Sequence, residues 1–496
     1  QKKKKKKGKD FFTNLQQLDV PAPERIHNYN SLNNQQKLVY DIVDANLTSI
    51  SPLRMIIAGT AGTGKSFLID NLISLIKEKG YNVKVGAFTG VAANNIQGET
   101  INSLLSIPVS TIRPLEGNKL ATLQEKWKDV KYLILDEMSM ISTKMLGIIN
   151  ERLKQAFPEK SSEPFGNLSI LMLGDFGQIP PVIGHPLYSS SSNNTDGYVT
   201  LGRLGYQTFH HAIFLDEVMR QSPDQIIFRN LLLRVRDGES TERDWEILNQ
   251  RALPNLSQEE RIKFTSSPRL YSKKADVDEY NFEKLRCNNN RIVKCKALHS
   301  HNRAEKCPAE DAQGLEAEIV IAEGARIMLT SNLCLKFGLV NGALGSIKKI
   351  VYSSNQSPPA LPSFVLVQFD GYSGPTFQGA IPIPPISRTW FKDGLQLTRT
   401  QLPLKLSFAI TIHKSQGLTL PIAVVNFGDK EFTPGLTFVS LSRTKKIEDL
   451  ALEHPIDFVR LKSLSTPRLQ DRKVEDERIK RMAEETKKKF LESNLL

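Results

Sequence analysis

No apolar run in the 496 residues reaches the ~18 needed for a membrane-spanning helix, so no membrane partner is expected. Cysteine is scarce. Cys287, Cys295, Cys307 and Cys334 form no C-x-x-C pair, which is the usage of a reducing compartment rather than of a disulfide-stapled fold. Cys295, His299, His301 and Cys307 cluster in "CKALHSHNRAEKC", but their spacing matches no common zinc finger. His299-Ser300-His301 has a polar middle residue and no companion tyrosine motif, against a rolling-circle nuclease pair. No internal repeat is present. Acidic charge is the minority: 53 aspartates and glutamates against 66 lysines and arginines, net +13. Residues 1–10 hold seven of those lysines and one aspartate, leaving 59 basic against 52 acidic residues elsewhere. A moderately basic body suits a polyanionic partner. The lysine run reads as a solvated tail, with nuclear import or nucleic-acid contact as its sharper use. The first residue is Gln, as expected of a fragment or processed chain.

This length accommodates roughly three or four domains of ~100–200 residues, and 40% hydrophobic residues allow sizeable cores. Residues 1–28 are polar and are expected to form a disordered basic tail. Over 29–215, the short apolar runs "LRMIIAG", "VKVGAFT", "KYLILDE" and "LSILMLGD" alternate with helically spaced segments such as Leu68, Ile69, Leu72, Ile73 and Ile76. Buried parallel strands with crossover helices read this way. The predicted class is therefore α/β. A second parallel α/β domain is expected from 216–319 and 403–460. Between its halves, 320–402 carries Pro/Gly-rich short strands and reads as a small inserted β-barrel. Residues 461–496 are densely charged and read as a solvated helix or tail.

"GTAGTGKS", Gly59 to Ser66, fits G-x-x-x-x-G-K-[ST], the loop whose backbone N–H groups cradle phosphates at a helix N-terminus. Gly59, Thr60, Ala61, Gly62, Thr63 and Gly64 form the cradle, Lys65 reaches the β and γ phosphates, and Ser66 offers a hydroxyl to Mg²⁺. "YLILDEMSM" brings Asp136 and Glu137 to a strand end: Asp136 orients Mg²⁺ through water, and Glu137 accepts a proton from the attacking water. In "LGDFGQIPPV", Asp175-Phe176-Gly177 spells a protein-kinase tripeptide, yet no H-R-D-x-x-x-x-N loop precedes it. Gln178 there is placed to sense the γ-phosphate. No N-K-x-D motif is present, which argues against a signalling GTPase.

These segments, in this order, resemble the Pif-type (petite integration frequency) DNA helicases, the 5′-to-3′ branch of superfamily one. "LNNQQ" resembles the family's adenine-reading motif, with Gln36 as the reader. "FTGVAANNIQGETINSL", "DEMSMIS", "GDFGQIPPV", "VMRQ", "HKSQGLTL" and "FVSLSRT" are similar to its successive motifs, and "EPFGNLSILMLGDF" to its signature segment. "GLVNGALG" and "LSFAITIHKSQGLTL" are most similar to members encoded in Helitron transposons. The resemblance covers about residues 31–455. It implies two RecA-like motor domains, a wedge insertion at about 105–130, ATP and Mg²⁺ as cofactors, and single-stranded or forked duplex DNA as partner. G-quadruplexes and RNA–DNA hybrids are further expected substrates, in a monomer located in the nucleus or mitochondrion. Arg220 and Arg443 are then arginine fingers, and Gln416 and Gly417 belong to the nucleotide site. Thr89, Gly90, Thr100 and Asn102, with His413, Lys414 and Thr419, are expected to hold strand phosphates. Asn102 stands where the family usually has His, and Asn167 where it usually has Gly. A ring-forming, protein-remodelling ATPase would lack "HKSQGLTL" and "LSRT" in one chain. An ATP-gated binder without unwinding would not need Glu137, Arg220 and Arg443.

Overall fold

The computed structural model describes residues 12, 13, 15, 28–108, 112–189, 196–287, 290–464 and 466–493. Contacts divide the chain into two units, Gln1–Glu24 with Ser266–Lys414, and Arg25–Thr265 with Ser415–Leu496. Among the described residues no helix is long and apolar enough to cross a membrane.

The larger unit is built on a six-stranded sheet of β1 (Arg54–Gly59), β2 (Asn82–Ala87), β3 (Glu99–Thr100), β4 (Val130–Asp136), β5 (Ser169–Gly174) and β6 (His211–Leu215). The order is β3-β2-β4-β5-β1-β6, and every pair is parallel. The continuous apolar runs follow from burial on both faces. In β1, Met55 and Ile57 enter one core cluster and Ile56 and Ala58 the other. Leu133 and Leu135 of β4 likewise face away from Tyr132 and Ile134. All strands run the same way, so Gly59, Ala87, Asp136 and Gly174 end on one edge, where ligands of such sheets bind.

Two features of this unit depart from expectation. The segment proposed as a wedge contains a helix, Gly117–Trp127, whose Leu123 and Trp127 are buried in the sheet's core. Trp127 donates to the Leu104 carbonyl at 3.3 Å, and residues 109–111 lie outside the described set. The charged C-terminal segment is a helix, Pro467–Ser493, and it is not simply solvated. Ile479 and Ala483 join one core cluster, Phe490 packs on the other, and the Thr486 hydroxyl accepts from the Ala212 N–H at 3.1 Å. The helix thus covers β6, an open edge of the sheet. The same unit contains a short parallel pair, Ala423–Asn426 with Leu450–Leu452. In the signature segment, Asn167 has φ +60, a left-handed conformation that Asn tolerates better than most residues. Its replacement of Gly is thereby explained.

In the smaller unit, Arg269–Tyr271 pairs in parallel with Ala409–Thr411. The intervening strands are antiparallel and begin at Val293, earlier than the expected boundary of 320. Val293–Lys296 pairs with Glu318–Ile321, and Leu298–His299 joins the hairpin Ile386–Lys392/Leu395–Gln401. A five-stranded sheet contains Arg326–Leu329, Leu344–Val351, Phe364–Phe369, Ile381–Ile383 and Leu404–Leu406. Phe12 and Leu15 are buried in its core. Most of the expected tail, including the lysine run, lies outside the described residues. Cys295 is buried and His301 caps a short helix, its Nδ1 accepting from Arg303 N–H. Among the described residues no group of three His, Cys, Asp or Glu side chains is arranged to hold a metal.

Candidate active site

The phosphate loop leaves β1 at Gly59 and enters the helix Lys65–Glu78. Two glycines make that turn. Gly62 has φ +91 and Gly64 φ +77, left-handed values that a side chain disfavours. Space is also restricted: a Cβ on Gly62 would lie 2.4 Å from the Arg220 Cβ. The Gly62 carbonyl accepts from Met219 N–H at 2.7 Å and Arg220 N–H at 3.1 Å, so the loop itself holds the segment that carries Arg220. Lys65 Nζ donates to the carbonyls of Gly59 (2.7 Å) and Thr60 (2.9 Å). Burial pushes its pKa down, and the carboxylates of Asp175, Asp136 and Glu137 oppose that shift. Thr63 is buried and donates to Thr60 O at 3.0 Å.

A cavity of about 310 Å³ opens beside this loop. It brings together Ala61, Gly62, Gly64, Lys65, Ser66, Asp136, Glu137, Gln178, Arg220, Gly417 and Arg443. Asp136 ends β4 and accepts the Glu137 N–H at 2.8 Å. Burial and then the neighbouring Glu137 charge push its carboxyl up to about 7. A buried carboxyl so destabilised as an anion, sharing the cavity with Ser66, is a fitting donor set for a divalent cation, which favours the ionised form. Glu137 follows in a left-handed conformation, φ +55, which turns its carboxylate away from the strand.

The two arginines are held by oxygen atoms that bear no formal charge. Arg443 is 2% exposed and donates to the carbonyls of Val439 (2.7 Å), Ser415 (3.2 Å) and Leu418 (3.1 Å), and to Ser442 Oγ (2.8 Å). Arg220 Nη1 donates to Ser442 O at 3.1 Å. Burial lowers both pKa values, most for Arg443, which also feels the Arg220 charge; Glu137 opposes the shift in each. Two guanidiniums facing one cavity create a demand for an anion.

Some expected residues take other positions. Gln36 is buried below the loop: Nε2 donates to Thr63 O at 3.2 Å, and Oε1 accepts from Asn33 N–H in a helix capping box. It supports the loop and does not line the cavity. Gln416 donates to Glu137 Oε2 (3.2 Å) and Ser139 Oγ (3.3 Å), so it orients the carboxylate rather than lining the cavity. Gly417 does line it, with φ +82. The Thr89 and Thr100 hydroxyls cap the helices Gly90–Asn95 and Ile101–Leu104, with Gly90 buried at the first start, and Asn102 donates to Ile107 O at 3.2 Å. Thr100 ends β3, and the other three follow the carboxyl ends of β2 and β3. Thr419 is exposed in the same unit. His413 and Lys414 belong to the smaller unit, where burial lowers both pKa values and Lys405 and Lys274 lower that of Lys414 further. Sequence reasoning missed Asn95, Phe67, Met219 and Lys445, which also line the cavity. Lys445 was signalled only by its place two residues after Arg443. It also missed Asp175, whose charge reaches Lys65.

Residues 31–246 match the family model described as PIF1-like helicase. The ATP-dependent DNA helicase PIF1 of Xenopus laevis is 30% identical over 429 residues, covering 84% of this chain and 61% of that protein. The crystal structure of Pif1 helicase from Candida albicans superposes with a TM-score of 0.69 at 26% identity, covering 89% of this chain and 97% of that one. Pif1 helicase from Bacteroides, solved with ADP-AlF3 and single-stranded DNA, gives 0.64 at 24% identity, with 92% and 97% covered. The chain spans about three fifths of the length of the curated relatives it matches.

Proposed function

Because the chain belongs to the PIF1-like helicase family, we propose that it is an ATP-dependent DNA helicase moving 5′ to 3′ on single-stranded DNA and opening forked duplexes. One observation carries the reading. A single cavity holds the phosphate loop, the Asp136–Glu137 pair and Gln178 together with Arg220 and Arg443, the parts that ATP hydrolysis requires. The N–H groups of the loop receive the phosphates, and Lys65 exchanges its two carbonyl partners for phosphate oxygens. Glu137, held by Gln416, accepts the proton of the attacking water. Arg220 and Arg443 stabilise the charge that develops in the transition state. Ser66 and Asp136 would hold Mg²⁺, which supplies charge neutralisation at the phosphates when bound. In the larger unit Thr89, Gly90, Thr100, Asn102 and Thr419 contact strand phosphates, a mode that does not read sequence; His413 and Lys414 are phosphate contacts of the smaller unit, taken by itself. Folded G-rich DNA and RNA–DNA hybrids fall within the same backbone-directed reach. The DNA partners are supported by relatives solved with single-stranded DNA and studied on forked duplex DNA.

The test is a forked duplex with one 5′ tail compared with one carrying a 3′ tail, with Lys65→Ala as control. ATP-dependent opening of the 5′-tailed fork alone, lost in Lys65→Ala, is expected. Opening that persists in Lys65→Ala, or that prefers the 3′ tail, overturns the assignment.

A further inference from the structure

A buried charge cluster lies behind the cavity. Asp175 follows β5 and is 2% exposed. Its Oδ1 accepts from Gly177 N–H (2.8 Å) and from Arg236 Nε (3.0 Å) and Nη2 (2.6 Å). Its Oδ2 is buried without a hydrogen-bond partner among the described residues. The Gln178 N–H donates to the Asp175 carbonyl at 3.0 Å, so the turn that presents Gln178 to the cavity hangs on Asp175.

Arg236 stands under that turn. A Cβ on Gly177 would come within 2.3 Å of its Nε, which fixes the separation between turn and guanidinium. Arg236 lies in the helix Ile226–Asp237 and is itself held from behind. Its Nη2 also donates to Asp476 (3.0 Å) and its Nη1 to Asp237 (2.7 Å). Arg472 then donates to Asp476 (2.9 Å) and Asp237 (2.8 Å). Asp476 and Arg472 belong to the C-terminal helix that covers β6. Ion pairs buried in this way tolerate one arrangement, because removing a single partner leaves an uncompensated charge.

We propose that Arg236, locked by Asp476 and Arg472, is a positioning residue for ATP turnover, and that the C-terminal helix acts through it on the Asp175–Gln178 turn. This rests on the ATPase reading of the cavity. A side chain that only stabilises the fold would change melting temperature. One that sets Gln178 should change kcat while leaving ATP affinity in place.

The experiment measures DNA-stimulated ATP turnover and melting temperature on the full chain, for Arg236→Lys and Asp476→Asn, with Thr486→Val as the comparison on the same helix. Arg236→Lys keeps the charge but loses the fork geometry. It should lower kcat about tenfold or more with KM for ATP within about twofold, since small misplacements at a reacting centre are costly. Asp476→Asn should shift kcat in the same direction by a smaller factor. Thr486→Val, which removes the acceptor for Ala212, should lower the melting temperature by a few degrees and leave kcat unchanged. A folded Arg236→Lys with wild-type kcat, or an equal kcat loss in Thr486→Val, overturns the inference. Should Arg236→Lys fail to fold, Asp476→Asn decides: wild-type kcat overturns the inference, and reduced kcat at unchanged KM supports it. No turnover in the unmodified chain overturns the ATPase reading and this inference with it, an outcome distinct from turnover that ignores Arg236.

Discussion

Gly62→Ala is the most informative small change in this chain. The added Cβ would sit 2.4 Å from the Arg220 Cβ, and a Cβ cannot rotate aside. An ordinary contact begins near 3.4 Å, so the segment carrying Arg220 must retreat by about 1 Å. The φ of +91 adds a left-handed penalty of ~1–2 kcal/mol. The two N–H donors of Met219 and Arg220 would lengthen or lose their bonds to Gly62 O, each worth about 1 kcal/mol net. Melting temperature should therefore fall only modestly. Turnover should fall far more, on the order of a hundredfold, because a displacement of about 1 Å at a reacting centre has that scale of effect. The assay is a double-mutant cycle on DNA-stimulated phosphate release with Gly62→Ala, Arg220→Ala and both. Arg220→Ala alone should lose roughly a thousandfold or more if it acts as an arginine finger. With the guanidinium gone, moving its segment has little left to spoil, so the double variant should resemble Arg220→Ala. Effects that multiply in full would refute the view that Gly62 acts through Arg220.

Gln416→Ala distinguishes two roles. Loss of its bond to Glu137, at about 1.5–3 kcal/mol for a charge-assisted pair, should lower kcat by roughly ten- to a hundredfold with little change in KM. A raised KM with intact kcat would return Gln416 to nucleotide binding. Asp244 makes a pH prediction. Burial opposes its charge, but Arg234 (2.8 and 2.6 Å) and Thr241 outweigh it and hold the carboxyl below its ordinary value. Its stabilisation is thus complete above the unfolded pKa of ~3.9 and is lost as pH falls through the lower folded value. Asp244→Asn should lower the melting temperature at neutral pH and flatten its decline in acid, and an unchanged acid limb in calorimetry would exclude this role.

The parts legible in the sequence are those whose reason is local. The loop from Gly59 to Ser66 and the pair Asp136–Glu137 each follow an apolar run that could only be a strand buried on both faces. Arg220 and Arg443 were legible only through their motifs, since nothing near either residue indicates that they meet. Gln36 was expected in the nucleotide site, but its amide closes a capping box and supports Thr63. Distinguishing these uses requires knowing which way the helix Asn34–Asn46 faces. Asp175 was passed over because its meaning lies 61 residues away in Arg236. The charged residues of 467–493 looked solvated because pattern alone cannot say that Arg472 and Asp476 have partners. The antiparallel strands of the smaller unit start at Val293 rather than 320 because "VKCK" and "LH" are too short to stand out.

The helix covering β6 also bears on the order in which the molecule is made. Ala212 and Thr486, joined by one hydrogen bond, are 274 residues apart in the chain. At roughly 5–20 residues per second, the nascent sheet waits on the order of tens of seconds for the side chain that satisfies its outer strand. Through that interval the backbone of β6 offers unpaired groups to any passing strand. The sheet is thus synthesised before the smaller unit but finished after it, and its completion coincides with the arrival of Asp476 behind Arg236.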